Sequence, residues 1–475
     1  MKNVFLTILI AVLCIFNADC KSVKGSVKDG RGKGISGVVV SDGLNTTITK
    51  GGGRFKLTVD EDSRFVFIST PSGYVSKTLN GPECFFKEIK SEVKSYDFVV
   101  TKNRKDDTNH NVSVIADPQI SERSELEELK PYALDIEDFV VKHDNDYTFG
   151  LCLGDVVGWD HSIYPEYNKI MAGTKIDFRT VIGNHDMTNY GRSHETSMQD
   201  YQSMYGPAWY SFNVGQVHYI VLNDNYYVGR DYFYIGLIDE RQLRWLENDL
   251  SYVPKGSMVV LAMHIPTTLG QADRDAFQYG TIGDNLANKT ALYAMLEPYK
   301  TLILSGHMHT SDFQQITDSI TEINIAGLCG AWWCGSTCID GTPAGYKAFD
   351  MNGDKVKWIY KGCGHKEEHQ FTAYVDPAVP GHVVANVWDF DPQWKVEYYE
   401  DGKKVCDMEQ FTGTDMKARE LYKDPSSLKR NWVYAAETTH LFKAPMTKGA
   451  KKLEVKVTDR FGRVYSKTIH YEMPN

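Results

Sequence analysis

Five short apolar runs, each ending in a polar turn, constrain this chain more than any other feature. Val112–Ala116 leads into Asp117-Pro118-Gln119, and Tyr147–Leu153 into Gly154-Asp155. Phe178–Ile182 leads into Gly183-Asn184-His185-Asp186, Met258–Met263 into His264, and Thr301–Leu304 into Ser305-Gly306-His307-Met308-His309. Apolar runs this short, bounded by turn residues, read as buried strands. A sixth run, Val217–Leu222, joins them, and the stretches Leu126–His143 and Asp239–Leu250 between runs read as helices. The alternation predicts an α/β core, in which ligands gather beyond the strand C-termini. One histidine after one strand is ordinarily a hydrogen-bonded structural residue. Five such ends in succession point to a common site.

The side-chain chemistry narrows the site further. Gly154, Gly183 and Gly306 allow sharp turns and close approach to a bound group. Oxygen donors from Asp, Asn and Gln mixed with imidazoles suit Mn, Fe or Zn. No cysteine falls among these turns, which argues against Cu(I) or an iron–sulfur cluster.

Taken in order, Asp-x-Gln, Gly-Asp, Gly-Asn-His-Asp, His and Gly-His-x-His resemble the motifs of the calcineurin-like metallophosphoesterase superfamily. The resemblance covers about residues 111–362. It implies an α/β fold with a β-sandwich core flanked by helices, and two divalent or trivalent ions. By the same resemblance, Asp117, Gln119, Asp155 and His309 hold the first ion. Asp155, Asn184, His264 and His307 hold the second, Asp155 bridges, and His185 stays off the ions to face the substrate. One departure stands out: the family's first motif is usually Asp-x-His, and here Gln119 replaces the histidine with a weaker amide donor.

The implied activity is hydrolysis of phosphate mono- or diesters by attack of a metal-bridging hydroxide, with His185 assisting the leaving group. The motifs do not separate monoesters from diesters, nor small phosphates from lipid- or glycan-linked ones. Asp186 is expected either to orient His185 or to cap the following helix. Trp332, Trp333 and Tyr346 are candidates for substrate contact, with packing as the alternative; the Tyr226–Tyr234 aromatics carry the same two readings. The competing class is a non-catalytic exported binding module on the same scaffold. The intact ligand set and His185 count against it.

The ends of the chain differ from the middle. Residues 21–103, with Gly-rich turns between short strands, predict a small β module resembling carboxypeptidase regulatory-like sandwiches. Residues 366–475 predict a second β-sandwich, with strands at Val383–Val387, Lys395–Glu400, Trp432–Glu437, Leu453–Thr458 and Val464–Tyr471. This pairing of flanking modules resembles a bacterial branch of the superfamily. No candidate ligand follows His309, so the C-terminal module is expected to serve solubility more than chemistry.

Residues 1–20 read as a signal peptide: Lys2, an apolar stretch from Val4 to Phe16, and small residues at Ala18 and Cys20 before a cut. Cys20 is alternatively the residue a lipid anchor would use. Either reading predicts an exported chain, periplasmic or at the cell surface, with no transmembrane helix in the mature part. Cys329, Cys334, Cys338 and Cys363 then suggest loop disulfides, with free thiols as the alternative. The formal net charge of −10 and the lack of a long Lys/Arg run exclude ordinary duplex nucleic-acid binding.

Overall fold

The computed structural model describes residues 21–76, 85–188, 190–230, 233–269 and 282–469. The expected signal peptide, with Cys20, lies outside the described residues, as do Tyr232 and Tyr471.

Two mixed sheets form the centre. The first is five-stranded, in the order Phe178–Thr180, Tyr147–Cys152, Asn109–Ile115, Gly345–Asn352, Lys355–Gly362. Its first three strands run parallel, and the last two form an antiparallel edge. The second is six-stranded, in the order Tyr210–Val214, Val217–Val221, Met258–Ala262, Lys300–Ser305, Ile320–Asn324, Asp312–Gln315. Its four middle strands are parallel. Nearly every residue of Val217–Val221 and Met258–Ala262 is buried, as strands covered on both faces require.

Aromatic side chains join the two sheets. Phe149 of the first meets Phe212 and Tyr219 of the second edge-on, at 5.6 and 5.2 Å. His110 Nε2 reaches the Tyr219 hydroxyl at 2.5 Å across the same gap. Helices cover the outer faces. Glu125–Lys142 buries Leu126, Leu129, Ala133, Ile136 and Val140, a helical stripe, and Glu240–Leu250 buries Trp245, Leu246 and Leu250. All parallel strands therefore end on one side, where the polar turns collect.

Small sheets stand at both ends. Toward the N-terminus two four-stranded sheets contain Ser22–Asp29 and Phe65–Ile68, and toward the C-terminus two more contain His382–Val387 and Leu453–Thr458. One expectation fails here. Residues 432–436 form no strand; the strand starts at Glu437 and runs to Pro445. Arg430 N donates to Cys334 Sγ (3.3 Å) and Ala436 N to the Ile339 carbonyl (2.9 Å), so both ends of the stretch are tied to the core. Val433 is buried against Ala331, Ala418 and Tyr422. These tertiary contacts override the β-propensity of Trp-Val-Tyr.

Among the described residues the cysteines are thiols. Cys152, Cys329, Cys334, Cys338, Cys363 and Cys406 are free. Cys329 Sγ faces the Gly330 carbonyl at 3.6 Å and Cys338 Sγ the Gly327 carbonyl at 3.5 Å, so the two point to different partners. Among the described residues, no helix is long and apolar enough to cross a membrane.

Candidate metal centre

The polar turns at the strand ends meet at one place. His264 Nε2 lies 3.0 Å from Asn184 Oδ1, 3.2 Å from His307 Nδ1 and 3.4 Å from Asp155 Oδ1. On the other side of Asp155, its Oδ2 lies 3.4 Å from Gln119 Nε2, while His309 Nε2 stands 3.6 Å from Asp117 Oδ1. Asp155 therefore sits between two groups of donors.

Backbone geometry brings them there. Asp117, Gln119, Asp155, His307 and His309 all have left-handed φ, at 49°, 42°, 50°, 71° and 53°. Non-glycine residues avoid this region, and a cluster of them marks a strained site. Gly183 gives room: a Cβ there would lie 2.1 Å from Asp155 Oδ1.

The residues fit metal ions. Asp155, His264 and His307 offer donor atoms within 4.8 Å of one another. The amide oxygen of Gln119 is buried without a hydrogen-bond partner, which an electropositive neighbour would satisfy. His264 Nδ1 donates to the Leu153 carbonyl (2.7 Å) and His309 Nδ1 to the Gly330 carbonyl (3.0 Å). Each bond fixes the tautomer and leaves Nε2 as a lone-pair donor aimed inward.

Electrostatics agree at two of the imidazoles. Burial pushes His307 down to about 3, aided by His264, and His309 down to about 4, so both stay neutral. Burial alone would lower His264, but Asp155, Asp117 and Asp224 lift it to about 10, so its Nε2 becomes a lone-pair donor only by exchanging a proton for a cation. Burial raises Asp117 above the usual carboxylate range. It opposes ionisation of Asp155 too, yet the imidazoles of His264 and His185 hold Asp155 low. A pocket this rich in mutually adjusted acids and bases is typical of a functional site.

Three regions of the chain match models of one family. Residues 21–103 match the N-terminal module of calcineurin-like phosphoesterases, 110–311 the calcineurin-like phosphoesterase unit and 322–465 the C-terminal module. The chain belongs to the calcineurin-like phosphoesterase family. It is accordingly a metal-dependent phosphoric ester hydrolase, of a family built around a dinuclear centre. A dimetal phosphatase from Danio rerio is similar over 53% of this chain and 96% of its own, at 16% identity and TM-score 0.37. A purple acid phosphatase from yellow lupin covers 69% of this chain and 67% of its own, at 12% identity and TM-score 0.41. A 5'-nucleotidase from Candida albicans covers 55% and 53%, at 12% identity and TM-score 0.34. Likenesses this remote carry no argument about activity or substrate. No curated protein matches the chain.

Within this phosphoesterase, His185 stands apart from the converging donors. Its Nδ1 donates to the Gly158 carbonyl (2.8 Å), and its Nε2 stays 3.9 Å from Asp155 Oδ2. Asp186 touches His185 with neither of its oxygens. It accepts from Gly183 N, Val156 N and the Tyr164 hydroxyl, and so pins two ligand turns together.

Two substrate-contact candidates are turned inward. Trp333 is buried, donates to the Pro118 carbonyl and stacks on Tyr132; Tyr346 is fully buried with its hydroxyl on Asp135. Both are packing residues. Trp332 does reach the site, lying flat on His309 at 4.0 Å with 18° between planes.

Other residues at the site escaped the sequence reading. Asp224 accepts from the backbone N–H groups of His264 and Ile265 (3.2 and 2.9 Å) and so fixes that ligand turn. His161 bridges the His185 carbonyl and Asp200, at 3.0 Å each. Trp159 lies against the His185 ring at 3.8 Å. Of the expected Tyr226–Tyr234 aromatics, Tyr234 does reach the site, with its hydroxyl 3.4 Å from His307 Nε2. Asp224 does stand at a strand end, two residues beyond the run Val217–Leu222, whereas His161 and Trp159 are identified only by their partners in space.

Proposed function

We propose that this phosphoesterase hydrolyses phosphate mono- or diesters at a dinuclear centre, with His185 serving the leaving group. Asp117, Gln119, Asp155 and His309 would hold one ion, and Asp155, Asn184, His264 and His307 the other. Two bound ions of Mn, Fe or Zn would supply positive charge for the phosphoryl oxygens and acidify the attacking water.

The observation that carries the role of His185 is its divergence from Asn184. Asn184 Oδ1 points to His264 Nε2, while the next residue anchors Nδ1 on a backbone carbonyl of a different loop. That bond fixes the ring and leaves Nε2 as the atom from which a proton passes to the leaving oxygen. Burial lowers the His185 pKa, and the Asp155 carboxylate opposes that shift.

The reading extends to location and substrate. Residues 1–20 support export to the periplasm or cell surface of a bacterium, with Cys20 as the anchor if the chain is lipidated. The substrate is a phosphate ester carried by a small molecule, a lipid or a glycan. Turnover of a monoester and a diester chromogen by metal-loaded protein, side by side, tests the activity. Hydrolysis of at least one, lost on chelation and restored by metal, is expected. Failure on both with two ions bound per chain would overturn the reading.

A further inference from the structure

Trp332 and Trp333 are consecutive residues with left-handed φ, at 51° and 59°. Bulky side chains hold that conformation only where their surroundings enforce it. Trp333 provides the enforcement, since its indole N–H is fixed 3.0 Å from the Pro118 carbonyl, between Asp117 and Gln119. The turn then lays Trp332 flat on His309. Trp432 stands edge-on against Trp332, with ring centroids 4.6 Å apart and 71° between planes. Trp432 is thus two ring contacts from a metal-ligand candidate, although it comes from beyond the catalytic unit.

The segment bearing Trp432 is held firmly. Arg430 pairs at 2.8 Å with Glu125, whose other oxygen accepts from Ser121 N (2.8 Å) and Glu122 N (3.2 Å), two and three residues after Gln119. Val433 faces inward and is buried, whereas Trp432 on one side of it is 52% exposed. A connecting segment needs no large apolar ring in water. A ring fixed at its neck, on the rim of a phosphoesterase site, is placed to meet something planar.

We propose that Trp432, backed by Trp332, is a specificity-determining wall of the substrate subsite and stacks on a ring carried by the phosphate ester. The proposal rests on the reading of the centre as a phosphoesterase site. Indole faces stack both on nucleobases and on the C–H faces of sugars. The shared chemistry is a flat ring within reach of the phosphate.

The test compares wild type, Trp432→Ala and Trp432→Phe, all metal-loaded, on adenosine monophosphate, glucose phosphate and glycerol phosphate. The quantity read is kcat/KM for each ring-bearing ester divided by that for glycerol phosphate, which has no ring. Stacking of one base corresponds to a loss of about 5- to 150-fold. A fall of that size in Trp432→Ala, carried mainly by KM and largely restored in Trp432→Phe, is expected. The ester showing the larger fall identifies the ring as base or sugar. Quenching of tryptophan fluorescence by the same esters gives binding constants without turnover. If wild type binds but hydrolyses none of them, the activity reading fails while the wall is still judged, by whether Trp432→Ala weakens adenosine monophosphate or glucose phosphate relative to glycerol phosphate. Unchanged ratios in both measurements, with metal content retained, would overturn the proposal.

Discussion

The two flanking modules are joined to the catalytic core by different physics. At the N-terminal joint, Phe85 packs on Tyr210 at 4.7 Å, and the Arg179 guanidinium lies over both Phe85 and Phe212. Val27, Phe67 and Ile68 belong to the same continuous apolar cluster as the core strands. The C-terminal module keeps its own apolar centre around Phe371, Val383 and Val455. Small apolar contacts join it to the core, Val433 and Tyr422 against Ala331 and Trp388 against Tyr360, and ionic and hydrogen-bonded pairs add to them. Lys347 pairs with Asp389, Arg430 with Glu125 and His440 with Asp340. His440 Nδ1 also meets Asn386 Oδ1 at 2.7 Å, and Asp340 accepts from Ser311 N at 2.8 Å, two residues after His309. Apolar burial is strong but non-directional, whereas buried hydrogen bonds fix positions. The first joint shares one apolar cluster with the core, and the second reaches a candidate-ligand loop through Asp340.

The largest effect that would sharpen this contrast is Phe85→Ala. Truncating an aromatic ring 2% exposed should cost about 3–5 kcal/mol, read by chemical denaturation. Metal affinity of the folded fraction should not change. A loss under about 1 kcal/mol would show that the N-terminal module is only loosely attached.

His440→Ala should cost less stability, about 1–3 kcal/mol, because it leaves Asp340 and Asn386 short of partners in the interior. Its distinguishing mark is at the metals: the ion bound through His309 should be released at lower chelator concentration. Unaltered chelator sensitivity would reduce the C-terminal joint to simple attachment.

The smallest effect is a difference in acid response. Burial, with His365, Lys467 and Lys417 nearby, depresses the His369 pKa from 6.5 to about 4. Its contribution is therefore present above pH 6.5 and is lost as pH falls through about 4. The N-terminal module contains no histidine, and Arg241 holds its Asp60 below the ordinary carboxylate value. As pH falls from 6.5 to 4, protection from hydrogen exchange, corrected for the intrinsic amide rate, should fall in His382–Val387 before it falls in Ser22–Asp29. Simultaneous opening would contradict the separation.

How much the sequence disclosed follows the same division. The core strands and their terminal polar turns were legible because a buried parallel strand must be an apolar run, and a ligand turn must interrupt it. Lys395–Glu400 and Leu453–Thr458 were legible from alternation. Residues 432–436 form no strand because their β-propensity is overridden by contacts to residues about a hundred positions away. Trp333 and Tyr346 carry no local sign that they face inward. Asp224, His161 and His440 act through backbone groups or distant side chains, and no spacing encodes that. Nor does any spacing show that the C-terminal module, expected to serve solubility more than chemistry, sets Trp432 beside Trp332 and His440 on Asp340.

In the proposed centre His185 works at the substrate while its neighbours hold the ions. Metal content of His185→Ala, measured by elemental analysis alongside turnover, tests that division. Two ions per chain are expected, as in wild type, with turnover lower by about 10²–10⁴-fold and a smaller loss on esters with acidic leaving groups. In parallel, His264→Ala should lose an ion and slow on all esters alike. An ion lost from His185→Ala would place that residue among the ligands and contradict the account.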